Sequence, residues 1–154
     1  MAQKYQTKYI VVAHHQDDHC ETYLLQKNRK NLVDYWGLPS IAQQGKFKIL
    51  RPLLFFDKKQ IINYLTEKKI AYALDVTNQL PIYQRNILRP QVENLSLLEK
   101  DNLLREIQAK NCELEKIKSL VNEQKKKFIL SQSVFFVNRT DNYSSEIYLR
   151  LLYC

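Results

Sequence analysis

The segment that most constrains this chain is residues 14–22, His-His-Gln-Asp-Asp-His-Cys-Glu-Thr, which combines histidines with three carboxylates. The residues before it, 9–13, are apolar and mostly β-branched, as expected for a strand covered on both faces of a parallel sheet. After it, Cys20, Tyr23 and Leu24 recur at helical spacing. The segment is therefore predicted to form a strand-to-helix turn, the place where open α/β sheets bind ligands.

Electrostatics restrict what this turn could bind. The free amides and the positive end of a helix favour a phosphate group. Asp17, Asp18 and Glu21 would then lie beside that phosphate. Carboxylates in such a place need a metal ion, or another cation such as an amine. The turn therefore predicts a site for an anionic ligand together with a cation.

Two blocks of residues, in the same order along the chain, carry a family resemblance. The first follows the pattern A-H-H-x-D-D-x-x-E-T at Ala13, His14, His15, Asp17, Asp18, Glu21 and Thr22. The second follows D-x-[ST]-N and then R-N-x-x-R at Asp75, Thr77, Asn78, Arg85, Asn86 and Arg89. Gly37-Leu38 and the run Arg51-Pro52-Leu53-Leu54 lie between them. Over residues 9–95 the chain resembles the tRNA(Ile)-lysidine synthetase family, a branch of the pyrophosphatase-loop ATP enzymes.

The resemblance implies an α/β fold. It would comprise a partial Rossmann-like parallel sheet, of the adenine nucleotide alpha hydrolase-like type, followed by a mostly helical region. The implied reaction joins lysine to the wobble cytidine of the CAU anticodon of tRNA(Ile). In it, ATP adenylates the base carbonyl oxygen with release of pyrophosphate, and the lysine side-chain amine then displaces AMP.

The resemblance also implies roles for single residues. Catalysis falls to His15, Asp18, Arg85 and Arg89, with Asp18 also the expected magnesium ligand. Nucleotide binding falls to His14, Asp17 and Asn86. Substrate and tRNA binding fall to Asp75, Asn78 and the same two arginines. Arginines four apart lie on one helix face, where each planar guanidinium could bind a phosphate through two hydrogen bonds. Ion pairs with nearby acids such as Asp75 are the alternative.

One departure from the family pattern shapes these expectations. The family's Gly-rich pyrophosphatase loop lies upstream of the His-His-Asp-Asp block, and here only eight residues precede the first strand. Gly37 and Gly45 are the two glycines of the chain, and neither lies in a phosphate-binding pattern. We therefore expect residues 1–93 to be the second half of a catalytic domain. Alone it would be inactive, because ATP and Mg²⁺ would need the upstream segment.

Composition places the chain in a broad class. Its formal net charge of +8 suits a polyanion such as tRNA, although many basic proteins bind no nucleic acid. Cys20, Cys112 and Cys154 form no C-x-x-C pair, which favours a reducing compartment. No apolar run approaches the roughly 20 residues of a membrane span. A cytoplasmic protein that does not bind membranes is the expectation.

Three alternatives stay open at this point. His15 and His19, one helical turn apart with Asp18 and Cys20 nearby, could bind zinc, although no distant fourth ligand is evident. The basic charge and a long helix could belong to a non-catalytic tRNA-binding or assembly module. Another pyrophosphatase-loop enzyme, such as a tRNA thiolase, would usually need a cysteine pair, and Cys20 stands alone near the cluster.

Several supporting elements can be predicted within residues 1–93. Residues 31–44 read as a short helix and loop with Trp36 as a core anchor, and residues 46–50 alternate as a strand. Asp57 and Gln60 form a capping box for the next helix. Residues 70–74 read as a further short strand, and a helix begins near Tyr83.

The composition changes near residue 94, which is the predicted boundary of a second region, 94–154, expected to be a truncated helical linker or tRNA-contacting region. Ser96 and Glu99 form another capping box, opening a long helix with a heptad-like apolar seam. Residues 128–137 read as a strand, and Ser144 or Ser145 caps a last helix.

Strand 9–13 is expected to have an exposed edge, which predicts self-association as a homodimer.

Overall fold

The computed structural model describes residues 6–29, 31–73, 84–127 and 144–152, and within these the side chains of 84–86, 124–127, 148, 151 and 152 are not described. The chain divides into two compact units, Met1–Ile107 and Gln108–Cys154. Among the described residues, no helix is both long enough and apolar enough to cross a lipid bilayer.

The first unit begins with a strand and a helix, as predicted from the 14–22 segment. Strand β1 (Tyr9–Val11) leads into helix α1 (Gln16–Arg29), followed by strands β2 (Ile41–Gln44) and β3 (Phe47–Leu50). A 3₁₀ helix (Pro52–Phe55) and helix α2 (Lys58–Glu67) come next, then helix α3 (Gln84–Glu93). Helix α4 (Leu97–Lys127) continues into the second unit, which also contains α5 (Ser145–Leu152).

The three strands form one mixed sheet in the order β1-β3-β2. Strand β1 runs parallel to β3, with Tyr9 opposite Lys48, and β2 pairs antiparallel with β3. The predicted α/β class is confirmed, and the parallel pair of β1 and β3 is extended by one antiparallel strand. The additional strand is β2, in the segment that we expected to be a short helix and loop. It pairs because Gly45, at φ +57°, forms a tight turn into β3.

Two other strand predictions are wrong. Residues 70–73 are not in a strand, and Leu74 lies outside the described residues. Strand β1 is not covered on both faces by the described residues, because the side chains of Tyr9 and Val11 are 55% and 66% exposed. The apolar sequence of β1 therefore does not mean that both faces of the strand are buried by the described residues.

The capping boxes are confirmed. Gln60 N–H donates to the Asp57 carboxylate at 2.7 Å, and the Gln60 side chain accepts from Asp57 N–H at 3.0 Å. Ser96 and Glu99 make the same reciprocal pair at the start of α4. The hydrogen bonds from Ser96 hold the pKa of the Glu99 carboxyl below its usual range. Each box satisfies amides that would otherwise lack a partner within the helix.

The core of the first unit lies between helices. Its fully buried members are Cys20 and Tyr23 of α1, Val92 of α3 and Ile107 of α4. Trp36 packs against them, with its ring edge-to-face to Tyr23 at a centroid distance of 5.6 Å, which confirms it as a core anchor. Helix α1 is therefore held mainly by other helices.

In the second unit, the predicted seam of α4 and the last helix are both present. Leu114 and Val121 of α4 are buried, as is Ile147 of α5. Arg150 donates to Glu146 one turn earlier on α5. The strand expected at residues 128–137 lies outside the described residues, and the domain boundary near residue 94 stays a prediction.

Gly37 and Gly45 both have positive φ, at +75° and +57°, but their surroundings differ. A Cβ on Gly37 would lie 2.6 Å from two atoms of the His19 ring, whereas a Cβ on Gly45 would meet nothing within 4 Å. Gly37 is therefore needed for both its backbone angle and its close approach to α1, and Gly45 for its backbone angle alone.

We expect this difference to be measurable. Gly45→Ala should lower the free energy of unfolding by about 1 kcal/mol, because alanine disfavours positive φ. Gly37→Ala should lower it by about 3 kcal/mol, since the methyl group also displaces the His19 ring. Urea denaturation of both variants, followed by circular dichroism, checks this. Equal losses would show that the His19 contact contributes nothing.

Candidate active site at the carboxyl end of β1

The 14–22 segment spans the end of the turn after β1 and the first turns of α1, as predicted. Asp17 and Asp18 lie in the first turn of α1, where the helix dipole favours negative charge, and both are buried. Asp18 Oδ2 accepts a hydrogen bond from His15 N–H at 2.9 Å. The contact is half of a capping box. The segment thus caps its own helix with residues that the family pattern marks as functional.

Asp17 is held by groups from two other helices. Its Oδ1 accepts from the Lys100 ammonium of α4 at 2.5 Å, and its Oδ2 accepts from Lys58 N–H, at the start of α2, at 3.1 Å. Asp17 is 3% exposed and Lys100 8%. A buried carboxylate with a cation on one oxygen and a helix N-terminus beside the other is fixed in orientation.

His15 lies between the two aspartates. Its Nε2 is 3.4 Å from Asp18 Oδ2, and its Nδ1 is 3.8 Å from Asp17 Oδ2. Within the described part of the chain, Nδ1 is buried and has no hydrogen-bond partner. An imidazole flanked by two carboxylates is suited to proton transfer, because either ring nitrogen has an acceptor nearby.

Arg89 of the second block meets Glu21 of the first. Its Nε donates to Glu21 Oε1 at 3.2 Å, and Glu21 is 1% exposed. The structure therefore joins the two sequence blocks by an ion pair, although with a different acid from the Asp75 considered above. Asp75 and Asn78 lie outside the described residues, as do the side chains of Arg85 and Asn86.

His14 is positioned by Arg51. This arginine belongs to the Arg-Pro-Leu-Leu run between the two family blocks, but it was not predicted to be a site residue. Arg51 Nε donates to His14 Nδ1 at 3.3 Å, and its Nη1 donates to the Pro39 carbonyl oxygen at 2.7 Å. Sequence reasoning could have found Arg51 from its block. It could not have found Lys100, which is one of several lysines in α4 with no distinguishing pattern.

The side chains of His19 and Cys20 face the interior of the first unit. Leu38 N–H donates to His19 Nδ1 at 2.8 Å. Burial lowers the pKa of His19 below its ordinary value near 6.5, outweighing the opposing effect of the Leu38 backbone. Burial, with the Asp17 charge, raises the pKa of the Cys20 thiol to about 12. Such a thiol is protonated at neutral pH and is a poor nucleophile.

The zinc alternative is wrong for the part of the chain described here. Among these residues there is no group of three or more His, Cys, Asp and Glu side chains able to share a metal ion. The reason is geometric, because His19 turns toward Leu38 whereas His15 turns toward the aspartates.

A cleft of about 210 Å³ opens beside Asp17. Its lining combines two acids with three lysines and one apolar side chain: Asp17, Glu93, Lys58, Lys59, Lys100 and Ile62. Lys58 pairs with Glu93 across it at 2.6 Å. The cleft therefore places charged groups of both signs next to the buried carboxylates.

The fold and the site together define an α/β protein with a polar site at the carboxyl end of a parallel strand, the position where open α/β sheets bind ligands. The sequence profile of the PP-loop domain matches residues 1–96, so the chain belongs to the PP-loop domain family. The match covers β1 to α3 and ends just before α4.

Three similar proteins are named tRNA(Ile)-lysidine synthase. A tRNA(Ile)-lysidine synthase of Mycoplasma mycoides is 40% identical over 134 residues, covering 87% of this chain and 33% of that protein. One of Mycoplasma genitalium is 34% identical over 133 residues, covering 86% and 46%. One of Mesomycoplasma hyopneumoniae is 42% identical over 88 residues, covering 56% and 30%. The chain thus spans about a third to a half of the length of these relatives.

The buried ion pair should contribute far more to stability than an exposed pair on the same helix. Lys100→Met leaves the Asp17 charge without its cation and should lower the free energy of unfolding by about 3 kcal/mol. Arg105→Met breaks the exposed Asp101–Arg105 pair and should cost less than about 1 kcal/mol. Urea denaturation of both variants measures the difference, and similar losses would contradict the assignment of Lys100 as buried and paired.

The neutral, buried His19 should make stability depend on pH. Because its folded pKa is lowered, the unfolded chain binds a proton near pH 6.5 that the folded chain does not. The contribution of neutral His19 to the free energy of unfolding is therefore complete above that pH. It is lost as the pH falls through 6.5 toward the pKa of His19 in the folded chain. We expect the free energy of unfolding to decrease from about pH 7.5 to about pH 5.5. His19→Asn keeps an acceptor without titrating and should flatten the dependence. An unchanged slope would contradict it.

Proposed function

We propose that this chain is the part of a tRNA(Ile)-lysidine synthase that carries the His-His-Asp-Asp site, and that the whole protein joins lysine to the wobble cytidine of tRNA(Ile) with ATP. The observation that carries the proposal is the assembly of His15 between Asp17 and Asp18 at the end of β1. The names and identities of the relatives support it.

The reaction class requires an activated base and an amine nucleophile. ATP supplies an adenylyl group that turns the base carbonyl oxygen into a leaving group, and the lysine side-chain amine then displaces AMP. An ammonium group must lose a proton before it can attack, and a buried cluster of carboxylates and imidazole is suited to bind it and accept that proton. The described residues meet this demand better than a site built to bind only an anion would.

We assign His15 to proton transfer and Asp18 to orienting the amine. Binding magnesium is the alternative role for Asp18. The described carboxylates do not build a metal cage, because Asp17 and Glu21 already pair with Lys100 and Arg89. A single carboxylate suits Mg²⁺, which usually retains water and is held largely by nucleotide phosphates. Bound there, the ion would neutralise the charge of those phosphates.

The remaining assignments follow the family pattern. His14, Asp17 and Asn86 would support the nucleotide. Arg85 and Arg89 would hold phosphate groups or the developing charge, and Asp75 and Asn78 would contact substrate. For Arg89 the ion pair with Glu21 adds a second duty, since it also fixes a signature carboxylate.

The proposed substrates and setting follow from the same reading. They are tRNA(Ile) with a CAU anticodon, lysine and ATP, in the cytoplasm. The net charge of +8 supports a polyanionic partner. A homodimer remains part of the proposal, supported by the exposed side chains on β1. A thiolase reading gains no support from Cys20, whose thiol is buried in the core.

The test is ATP- and lysine-dependent modification of a tRNA(Ile) transcript, using the protein at the length its gene encodes. We expect lysine incorporation with the CAU anticodon and none when the wobble cytidine is replaced. Asp18→Asn should lower kcat by about a hundredfold or more. Asp101→Asn, an exposed residue of α4, should leave kcat unchanged.

The outcomes separate the competing functions. Turnover that persists in Asp18→Asn would overturn the role of Asp18. No turnover, with tRNA binding that weakens steeply with salt and ignores the anticodon, would instead indicate the non-catalytic binding module.

A further inference from the structure

Lys100 lies outside the segment that matches the PP-loop domain family, yet its ammonium group reaches the candidate active site. Nothing in its own helix favours this position. The first turn of α4 is the positive end of the helix dipole, and lysine is rarely buried unless it is paired. Its burial at 8% exposure is therefore explained by the contact with Asp17.

The contact fixes more than a charge. Asp17 receives the Lys100 ammonium on Oδ1 and the Lys58 amide on Oδ2. These donors come from α4 and α2, and Asp17 itself belongs to α1. Hydrogen bonds to both oxygens hold the plane of the carboxylate, so rotation about its last side-chain bond would break at least one of them.

The fixed plane directs Oδ2 of Asp17 toward His15. The buried Nδ1 of His15 is 3.8 Å from that oxygen, and within the described residues it has no hydrogen bond. A displacement of less than 1 Å would bring the two atoms to hydrogen-bond distance. The position of Asp17 therefore sets the distance over which the imidazole can reach this carboxylate, while Asp18 lies 3.4 Å from the other ring nitrogen.

The geometry points to Lys100 as a positioning residue for His15, acting through Asp17. This inference rests on the proposed function for its effect on turnover. Helix α4 thereby contributes to the site, although the Lys100 side chain touches no reacting group. An outer residue that orients a functional side chain in this way typically affects the rate by about ten- to a hundredfold.

The chain offers a matched control for the docking of α4. Lys27 of α1 donates to Glu106 of α4 at 2.8 Å, so it also joins these two helices, but at an exposed position. Its partner is also bonded by Tyr23. Lys27→Met should weaken the same helix contact without touching Asp17.

The first readout is steady-state kinetics of the full-length protein, at a temperature where every variant is folded. Lys100→Met should lower kcat by about ten- to a hundredfold and leave KM for lysine within about twofold. Lys100→Arg, which keeps a cationic donor, should recover most of the loss. Lys27→Met should keep kcat within about twofold.

The second readout does not depend on activity. Nitrogen-15 NMR of the histidine ring nitrogens should show the His15 signals shifted in Lys100→Met and restored toward their original position in Lys100→Arg. Lys27→Met should leave them in place. If Lys100→Met does not fold, Lys100→Gln, which retains a neutral donor, takes its place and should give a loss of the same sign.

Several results would overturn the inference. One is an unchanged kcat in Lys100→Met, and another is an equal loss in Lys27→Met, which would assign the effect to helix docking. Unchanged His15 signals in every variant would overturn it whatever the activity. An unsubstituted protein without turnover refutes the proposed function alone, because the NMR comparison still decides the positioning of His15.

Discussion

The structure depends on the burial of carboxylates at the start of α1. Removing a charge from water is costly unless an opposite charge and hydrogen bonds replace the solvent. Asp17 and Glu21 are 3% and 1% exposed, and the cations that compensate them, Lys100 and Arg89, come from α4 and α3. Both helices must therefore dock on α1 for the charges to be tolerated, and the apolar contacts form where those ion pairs bring the helices together.

Polar and apolar packing thus reinforce each other on α1. Tyr23 lies in the core between the three helices, and its hydroxyl donates to Glu106 of α4. Burial and that hydrogen bond to a carboxylate raise the pKa of the phenol, so it stays a donor. The apolar contacts supply most of the free energy that packs the helices together, but they are non-directional. The ion pairs and hydrogen bonds are directional, and they select the register in which the carboxylates and His15 come together.

Much of the site could be read from the sequence because its signals are local. A strand, a turn and a helix in succession placed His14, His15, Asp17 and Asp18 at one end of β1 without knowledge of the rest of the fold. Capping boxes depend on residues three apart, so Asp57 and Ser96 were predictable in the same way. Strand β2 was missed because Ile-Ala-Gln-Gln shows neither an apolar run nor a regular alternation, and its pairing with β3 depends on a turn at Gly45.

The sequence by itself determined where the candidate site lies, the capping boxes of α2 and α4, and the family to which the chain is related. Only the tertiary structure decided which groups neutralise the signature carboxylates. Lys100 is separated from Asp17 by 83 positions, and no local pattern distinguishes it from the other lysines of α4. Its identity emerges only when α4 packs on α1, because a buried charge pair is specified by distance in space and by the exclusion of water, neither of which a sequence pattern records.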